Sequence, residues 1–153
     1  MKVHLTINGY KKEFHVEVGE FLLDTLRNHN YTSVKKGCDS TTCGVCTVLL
    51  DGKPVPSCSL LTVKADGHEI TTVEGISKEA SDLSEHFGHE GADQCGYCNP
   101  SLALNVHALK NEIRDPNDED IKEYLVGNLC RCTGYNMIIK AIKTASKKGD
   151  GLW

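Results

Sequence analysis

Eight cysteines, which fall into two sets of four, constrain this chain more than any other feature of its sequence. The first set is Cys38, Cys43, Cys46 and Cys58, and the second set is Cys95, Cys98, Cys130 and Cys132. The first three cysteines follow the spacing C-x4-C-x2-C, which is typical of the ligands of a plant-type [2Fe–2S] cluster. The second set consists of two close pairs. Two complete sets of four thiolates, with no cysteine left over, indicate two metal centres and therefore a relay for electrons.

Length and composition restrict the class of protein. The 153 residues are enough for one domain of ordinary size or two small ones. A hydrophobic fraction of 39%, a charged fraction of 25% and a net charge of -4 fit a soluble globular protein and give no argument for binding nucleic acid. No apolar run is long enough to span a bilayer, and the N-terminus does not resemble a signal peptide. We therefore expect a cytoplasmic protein, in which cysteines bind metal rather than form disulfides.

The first half of the chain predicts strands joined by tight turns. Asn8-Gly9 and Asp51-Gly52 each follow a strand-like run, and such pairs are a strong signal for a β-hairpin. The predicted elements are, in chain order, strands over 3–7 and 14–18, a helix over 21–29, and strands over 45–50 and 70–73. Together they predict a small mixed β-sheet with one helix packed against it.

Beyond Glu74 the spacing of the apolar residues becomes helical. Ser77 and Asn117 are predicted to cap two helices, because their side chains can accept hydrogen bonds from the free N–H groups of a first turn. Two further helices are predicted over 101–113 and 136–147. The second half is therefore predicted to contain four helices.

The first cysteine set lies mainly in one short loop, over 37–47. Such a loop can supply three thiolates and direct backbone N–H groups at their sulfurs. Gly37 and Gly44 allow close approach of the backbone or a positive φ, and the Asp51-Gly52 turn can fold Cys58 back towards the loop. A structural zinc site and buried free thiols are the alternatives. Zinc sites commonly contain two C-x2-C pairs, and this set contains one, so the spacing favours the cluster.

The spacing of the second set does not distinguish zinc from iron–sulfur. Its context is more informative, because Asn99-Pro100 follows Cys98 and proline is favourable at the start of a helix. The other pair, at 130–132, also precedes a predicted helix. A helix N-terminus stabilises negative charge, which four thiolates around a metal centre carry.

Four motifs occur in a fixed order along the chain: SVKKGC at 33–38, CGVCT at 43–47, QCGYC at 94–98 and GNLCRCTGY at 127–135. With these motifs, nearly the whole chain resembles the small iron–sulfur subunit of the molybdenum hydroxylases, the family of xanthine dehydrogenase, aldehyde oxidoreductase, nicotinate dehydrogenase and aerobic-type carbon monoxide dehydrogenase. The resemblance implies two [2Fe–2S] clusters, one for each cysteine set. It also implies an α+β fold, with a plant-ferredoxin-like β-grasp domain over 1–73 followed by a helical domain over 74–153.

The resemblance further implies the partners of the chain. A large subunit would bind the molybdopterin cofactor and a medium subunit would bind FAD, in a hetero-oligomer such as a dimer of heterotrimers. Electrons would pass from molybdenum to the second-set cluster, then to the first-set cluster and the flavin. Gln94 would contact the pterin, and Cys132 would be the ligand closest to it. Family breadth alone favours an aromatic nitrogen heterocycle, such as a purine, as the substrate of the complex.

Two alternatives remain open at the level of sequence. One is a free-standing two-cluster ferredoxin, and the other is a zinc-stabilised interaction module. The chain also departs from the family at two places, since the family usually has glycine where Thr41 stands and Thr-Pro-Gly where this chain has Asn99-Pro100-Ser101. Threonine is unfavourable at a position that requires a positive φ, whereas Asn99 is still predicted to cap a helix.

Overall fold

Five strands in the first half of the chain form one mixed β-sheet. The computed structural model describes residues 1–147. The strands are β1 (Lys2–Ile7), β2 (Tyr10–His15), β3 (Thr47–Leu50), β4 (Lys53–Pro56) and β5 (Glu69–Thr71). Their order in the sheet is β2-β1-β5-β3-β4. Strands β1 and β5 are parallel and the other neighbouring pairs are antiparallel, so the sheet is mixed, as predicted.

Both predicted hairpins are confirmed. Asn8 and Gly9 connect β1 to β2 with φ angles of 51° and 82°, and Asp51 and Gly52 connect β3 to β4 with φ angles of 49° and 81°. Two successive residues with positive φ match the right-handed twist of the flanking strands. Asparagine, aspartate and glycine adopt this conformation more readily than other residues, so the local sequence was sufficient to predict these turns.

The hairpin predicted at Asp51-Gly52 requires a strand after the turn, but no bounds were predicted for it. This strand, β4, contains Pro54 and Pro56, and proline is unfavourable inside a sheet. The strand lies at one edge of the sheet, next to β3. At an edge, the N–H that proline lacks can be one that would have faced away from the sheet. The position of β4 in the sheet, which local sequence does not reveal, explains why it forms.

A short helix, α1 (Leu22–Asn28), packs its apolar side against the sheet, as predicted. Leu22 and Leu26 are fully buried in the same cluster as Ile7 of β1 and Ile70 of β5. Burial of one such side chain contributes about 1.5–3 kcal/mol. This cluster is the core of the first half and holds the helix on the sheet.

Four helices follow in the second half. They are α2 (Ser77–His89), α3 (Asn99–Glu112), α4 (Asp118–Tyr124) and α5 (Asn136–Lys147). Helices α2 and α4 both pack against α3 and α5. A sheet with one helix followed by four helices confirms the α+β fold class. Within residues 1–147, no helix is both long enough and apolar enough to cross a membrane.

The predicted cap at Asn117 is confirmed, and the predicted cap at Ser77 is wrong. The Asn117 side chain accepts hydrogen bonds from the N–H groups of Glu119 and Asp120, and the Asp120 side chain accepts one from the N–H of Asn117, which completes a capping box at α4. Ser77 does not cap α2. A 3-10 turn, Val73–Ile76, runs directly into this helix, so Ser77 already has helical angles and its side chain caps nothing.

Strand β3 lies between two apolar cores. Val48 belongs to the core of the first half, whereas Val45 and Leu49 pack into the core formed by the helices of the second half. Successive side chains of a strand point to opposite faces, so one strand contributes to both cores. A boundary between two domains at residue 73 therefore stays a prediction, and the predicted second domain extends through 148–153, which lie outside the described residues.

Candidate metal centres

The first cysteine set is assembled by the loop before β3 and by a turn after β4. Cys46 is 3% exposed and directly precedes β3. The N–H and the hydroxyl of Ser57 both donate to the carbonyl oxygen of Cys46, at 3.3 and 2.7 Å. These two bonds hold the 3-10 turn Ser57–Ser59 against the loop. They place Cys58 next to Cys46, where the predicted hairpin was expected to bring it.

The sulfurs of the first set are grouped as two neighbouring pairs. The thiol of Cys38 lies near that of Cys43, and the thiol of Cys46 lies near that of Cys58. In a [2Fe–2S] cluster bound by four cysteines, each of the two irons takes two thiolates. Two pairs of sulfurs therefore suit the two irons of such a cluster.

Backbone N–H groups surround the Cys38 sulfur. Hydrogen bonds from the N–H of Cys43, from its thiol and from the N–H groups of Ser40 and Thr42 lower the pKa of Cys38 to about 6. Burial instead raises the pKa of Cys58 to about 12. Hydrogen bonds to sulfur and burial both tune the reduction potential of an iron–sulfur cluster. Cys38 and Cys58 would therefore affect the potential of this cluster in different ways.

Two glycines of this loop have the roles predicted for them. A Cβ at Gly37 would lie 2.6 Å from the Cγ2 of Val45 and 3.2 Å from the sulfur of Cys43. Gly44 has a φ of +71°, and a Cβ there would lie 2.0 Å from the carbonyl oxygen of Gly127. At both positions only glycine allows the backbone to approach its neighbour so closely.

Thr41 has a φ of 58°, the conformation suggested by the glycine that the family usually has at this position. Its hydroxyl donates to the carbonyl oxygen of Ser40 at 2.7 Å. A β-branched residue in this region of φ is strained, typically by about 1–3 kcal/mol. The loop therefore keeps its shape at the exposed tip despite an unfavourable residue.

The first pair of the second set lies at the start of α3. Cys98 occupies the N-cap position, and its carbonyl oxygen accepts hydrogen bonds from the N–H of Leu102 and the hydroxyl of Ser101. Pro100 lies in the first turn, as predicted. Asn99 does not cap the helix, contrary to prediction, because it is already the first helical residue. Its side chain instead donates to Asp93 at 3.0 Å.

The second pair lies in the loop before α5. The N–H and the hydroxyl of Thr133 donate to the Cys130 sulfur at 3.4 and 3.1 Å, and the N–H of Cys130 donates to the hydroxyl of Tyr135 at 2.9 Å. Burial disfavours the Cys130 thiolate, but the donors from Thr133 and the N–H of Cys132 outweigh it and lower the pKa of Cys130. At its neighbour Cys98, burial raises the pKa to about 12.

The second set is also arranged as two pairs, one deeper than the other. The sulfurs of Cys95 and Cys132 are 3.5 Å apart and both residues are exposed. Cys98 is buried and lies near the half-buried Cys130. Gln94, the residue before Cys95, is exposed as well. One side of the second set therefore faces solvent.

The two sets meet at a single cleft of about 590 Å³. Its cysteine lining comes from both sets and comprises Cys38, Cys43, Cys95, Cys98, Cys130 and Cys132. Within residues 1–147, no three or more His, Cys, Asp or Glu side chains are placed to hold one metal ion. The sulfurs are paired instead, and N–H groups point at them, so the donor set fits two-iron clusters.

Three hydrogen bonds join the loop of the first set directly to the two segments that carry the second set. The hydroxyl of Tyr97 donates to the carbonyl oxygen of Lys36 at 2.8 Å, and the side chain of Asn128 donates to the carbonyl oxygen of Gly44 at 3.3 Å. The N–H of Leu129 donates to the carbonyl oxygen of Cys43 at 2.9 Å. Sequence reasoning missed these contacts. The local signal for Asn128 and Leu129 was their place in the motif at 127–135, directly before Cys130.

Comparison with known proteins identifies both halves. Residues 5–74 match the family described as "2Fe-2S iron-sulfur cluster binding domain", and residues 72–143 match the family described as "[2Fe-2S] binding domain". The chain is 42% identical over 149 residues to the nicotinate dehydrogenase small FeS subunit of Eubacterium barkeri, with 95% of each chain covered. It is 39% identical over 149 residues to the xanthine dehydrogenase iron-sulfur-binding subunit of Escherichia coli O157:H7, with 95% of this chain and 94% of that one covered.

The fold leads to the same group of proteins. The crystal structure of quinoline 2-oxidoreductase from Pseudomonas putida 86 contains a chain that superposes with a TM-score of 0.87 and 39% identity, with 97% of each chain covered. The relatives are named as subunits of oxidoreductases, and two [2Fe–2S] domains match along this chain. The chain therefore belongs to the iron–sulfur electron-transfer subunits of the molybdenum hydroxylase family.

Proposed function

We propose that this chain relays electrons from a molybdopterin site on a large subunit, through two [2Fe–2S] clusters, to FAD on a medium subunit. The cysteines of the second set would hold the cluster that receives the electron first, and those of the first set would hold the cluster that passes it on. The observation that carries the proposal is the shared cleft, which brings sulfurs of both sets together. The exposed Cys95 and Cys132 supply an entry side for electrons, and the half-buried Cys58, which does not line the shared cleft, supplies an exit side.

In this proposal all eight cysteines are cluster ligands. Cys38, Cys43, Cys46 and Cys58 hold one cluster, and Cys95, Cys98, Cys130 and Cys132 hold the other. When bound, the clusters supply one-electron oxidation and reduction. The protein contributes hydrogen bonds that stabilise thiolates, above all those around Cys38 and Cys130, and it excludes water from the deeper sulfurs.

Gln94 is proposed to contact the pterin of the partner subunit. It is exposed, and it adjoins Cys95 on the side of the second set that faces solvent. Its side-chain amide offers both donors and an acceptor, which suits the polar edge of a pterin ring. In the same arrangement Cys132 is the proposed ligand closest to the pterin.

The complex is proposed to be a cytoplasmic hetero-oligomer, with a dimer of heterotrimers as its assembled form. An aromatic nitrogen heterocycle, such as a purine, is the proposed substrate. Relatives named for nicotinate, xanthine and quinoline support this class, because each name denotes a nitrogen heterocycle. We also retain the proposal of two domains, 1–73 and 74–153, which the two family matches support.

The test is metal content together with Cys95→Ser in the purified complex. The unchanged protein should contain about four irons and four sulfides per chain, as two [2Fe–2S] clusters require. The variant should keep the first cluster, lose the electron paramagnetic resonance (EPR) signal of the second, and lose substrate-driven reduction of flavin. Ser40→Ala, near the first set but outside the ligands, is the control and should keep both signals.

Two results would contradict this proposal. Near-stoichiometric zinc without sulfide in the unchanged chain would point to an interaction module. Full turnover of the Cys95→Ser complex with a flavin-dependent acceptor would show that electrons bypass the second set. A chain that carries both clusters but purifies without larger subunits would instead point to a free-standing ferredoxin.

A further inference from the structure

We propose that Asn128 is a positioning residue that fixes the electronic connection between the two clusters. This inference rests on the proposed function, because it assumes that both cysteine sets hold clusters. It adds a path for the electron between the two clusters and a residue that controls that path. The path is the hydrogen bond from the N–H of Leu129 to the carbonyl oxygen of Cys43.

The hydrogen bond joins a proposed ligand of one cluster to the residue next to a proposed ligand of the other. Cys43 belongs to the first set, and Leu129 directly precedes Cys130 of the second set. The donor and acceptor are 2.9 Å apart, which is the ordinary length of a well-formed N–H···O bond. A continuous path therefore runs from sulfur to sulfur through covalent bonds of three residues and one hydrogen bond.

Asn128 holds the two backbone segments in the register that this bond requires. The residue is 5% exposed, and its side-chain nitrogen lies 3.3 Å from the carbonyl oxygen of Gly44 and 3.5 Å from the hydroxyl of Ser101. Gly44 follows Cys43, and the Ser101 hydroxyl donates to the carbonyl oxygen of Cys98. One buried amide thus contacts the immediate surroundings of a ligand in each set.

The loop that contains Gly44 and the segment that contains Gly127 are packed so closely that neither backbone can move towards the other. A Cβ at Gly44 would lie 2.0 Å from the carbonyl oxygen of Gly127, the residue before Asn128. The two backbones are therefore already at their closest approach. Asn128→Asp would place a carboxylate oxygen against the Gly44 carbonyl oxygen, which also accepts hydrogen bonds from the N–H and the hydroxyl of Thr47 at 3.1 and 2.7 Å. Two acceptors that face each other in a buried site repel, so this change is expected to shift one backbone relative to the other and lengthen the Leu129–Cys43 bond.

Asn105 supplies a matched control. It is also a buried asparagine, 4% exposed, and its side-chain nitrogen donates to the carbonyl oxygen of Ser101 at 2.8 Å. That bond lies inside α3 and does not reach the first cysteine set. Substitution of either asparagine removes a buried amide next to Ser101, but only Asn128 bridges the two loops.

The experiment compares Asn128→Asp with Asn105→Asp in the full-length chain, purified anaerobically with its accompanying subunits. Aspartate preserves the size of the side chain but replaces the donor with an acceptor that faces the Gly44 carbonyl. Each protein is partly reduced by a light pulse with a photoreductant, and rapid freeze-quench EPR follows the electron as it redistributes between the two clusters. Iron content, both reduction potentials and the magnetic splitting between the fully reduced clusters are measured on the same samples.

We expect Asn128→Asp to slow redistribution about tenfold, in the range typical for loss of a hydrogen bond that supports metal ligands. The magnetic splitting should weaken as well. Asn105→Asp should leave the rate and the splitting unchanged, even where it lowers thermal stability as much. Asn128→Ala removes the donor without adding charge. If the aspartate variant does not retain both clusters, the redistribution rate and the magnetic splitting of Asn128→Ala test the inference instead.

An unchanged rate and splitting in an Asn128 variant with both clusters present would overturn the inference. Loss of both clusters from both Asn128 variants would also overturn it, because Asn128 would then be required for cluster assembly rather than for transfer. The proposed function fails separately, if the unchanged chain lacks two clusters or if an electron does not pass between them.

Discussion

The two cysteine sets have the same number of ligands, but the chain builds them in opposite ways. One loop before β3 supplies three cysteines of the first set, and two of them, Cys43 and Cys46, are buried. The second set draws its pairs from two segments that are far apart in sequence, and Cys95 and Cys132 are exposed. The contrast teaches that a local loop can enclose its ligands, whereas a site built between segments depends on how the segments pack.

The largest expected effect concerns Gly44, where the two loops touch. Gly44→Ala should lower the free energy of unfolding by about 1–2 kcal/mol for the positive φ and by a further 1–3 kcal/mol, approximately, for the contact with Gly127. Gly91→Ala is the control, because Gly91 has a φ of +70° with open space around it. Thermal unfolding of both variants measures the difference. Equal losses would mean that the Gly44–Gly127 contact contributes nothing.

A second prediction uses the difference in exposure between the sets. A chelator added to the isolated full-length chain should remove iron from the second set before the first, because Cys95 and Cys132 are exposed and Cys46 is 3% exposed. The two clusters can be followed separately by EPR during the reaction. Simultaneous loss of both signals would mean that exposure of the ligands does not control access to the iron.

A smaller effect is expected at Thr41, the strained residue of the first loop. Thr41→Gly should raise the free energy of unfolding by about 1 kcal/mol, because glycine adopts a φ of 58° without steric cost. Thr42→Gly, one residue further on, is the control and should destabilise the protein through added freedom of the unfolded chain. A stability gain for Thr42→Gly as large as that for Thr41→Gly would exclude strain at Thr41 as the cause.

The smallest expected effect concerns acid stability of the helical half. Burial opposes ionisation of Glu79, but His107 and Lys110 bind its carboxylate at 2.7 and 3.0 Å and hold its pKa below the usual value. A lowered pKa means that the stabilisation is present above the unfolded pKa and is lost as pH falls through the folded one.

Glu79→Gln should therefore reduce the loss of stability between pH 5 and pH 3, approximately, since this variant has no carboxylate to protonate. The exposed Glu85, on the same helix, provides the control Glu85→Gln. Denaturant unfolding at several pH values measures the slope. A slope for Glu79→Gln as steep as that of the unchanged chain would contradict the predicted role of this carboxylate.

Local sequence was sufficient wherever neighbours in the chain decide the structure. The turns at Asn8-Gly9 and Asp51-Gly52 and the cap at Asn117 all depend on a few adjacent residues. Prediction gave no bounds for β4 and failed at Ser77 and at Asn99, where an edge position or a preceding turn overrode the local preference. At each of these sites the decisive contact lies outside the segment on which the prediction was based.

The sequence by itself determined that two groups of four cysteines exist, that one half of the chain forms a sheet and the other forms helices, and which family the motifs resemble. Only the tertiary structure decided that the thiol of Cys58 lies near that of Cys46 and that the sulfurs of Cys95 and Cys132 lie side by side. It also decided that the N–H of Leu129 donates to the carbonyl oxygen of Cys43. The physical reason is the distance along the chain over which each kind of interaction acts. Spacing along the chain fixes periodicity and turn geometry, whereas contacts between distant segments form only when both cores pack around β3.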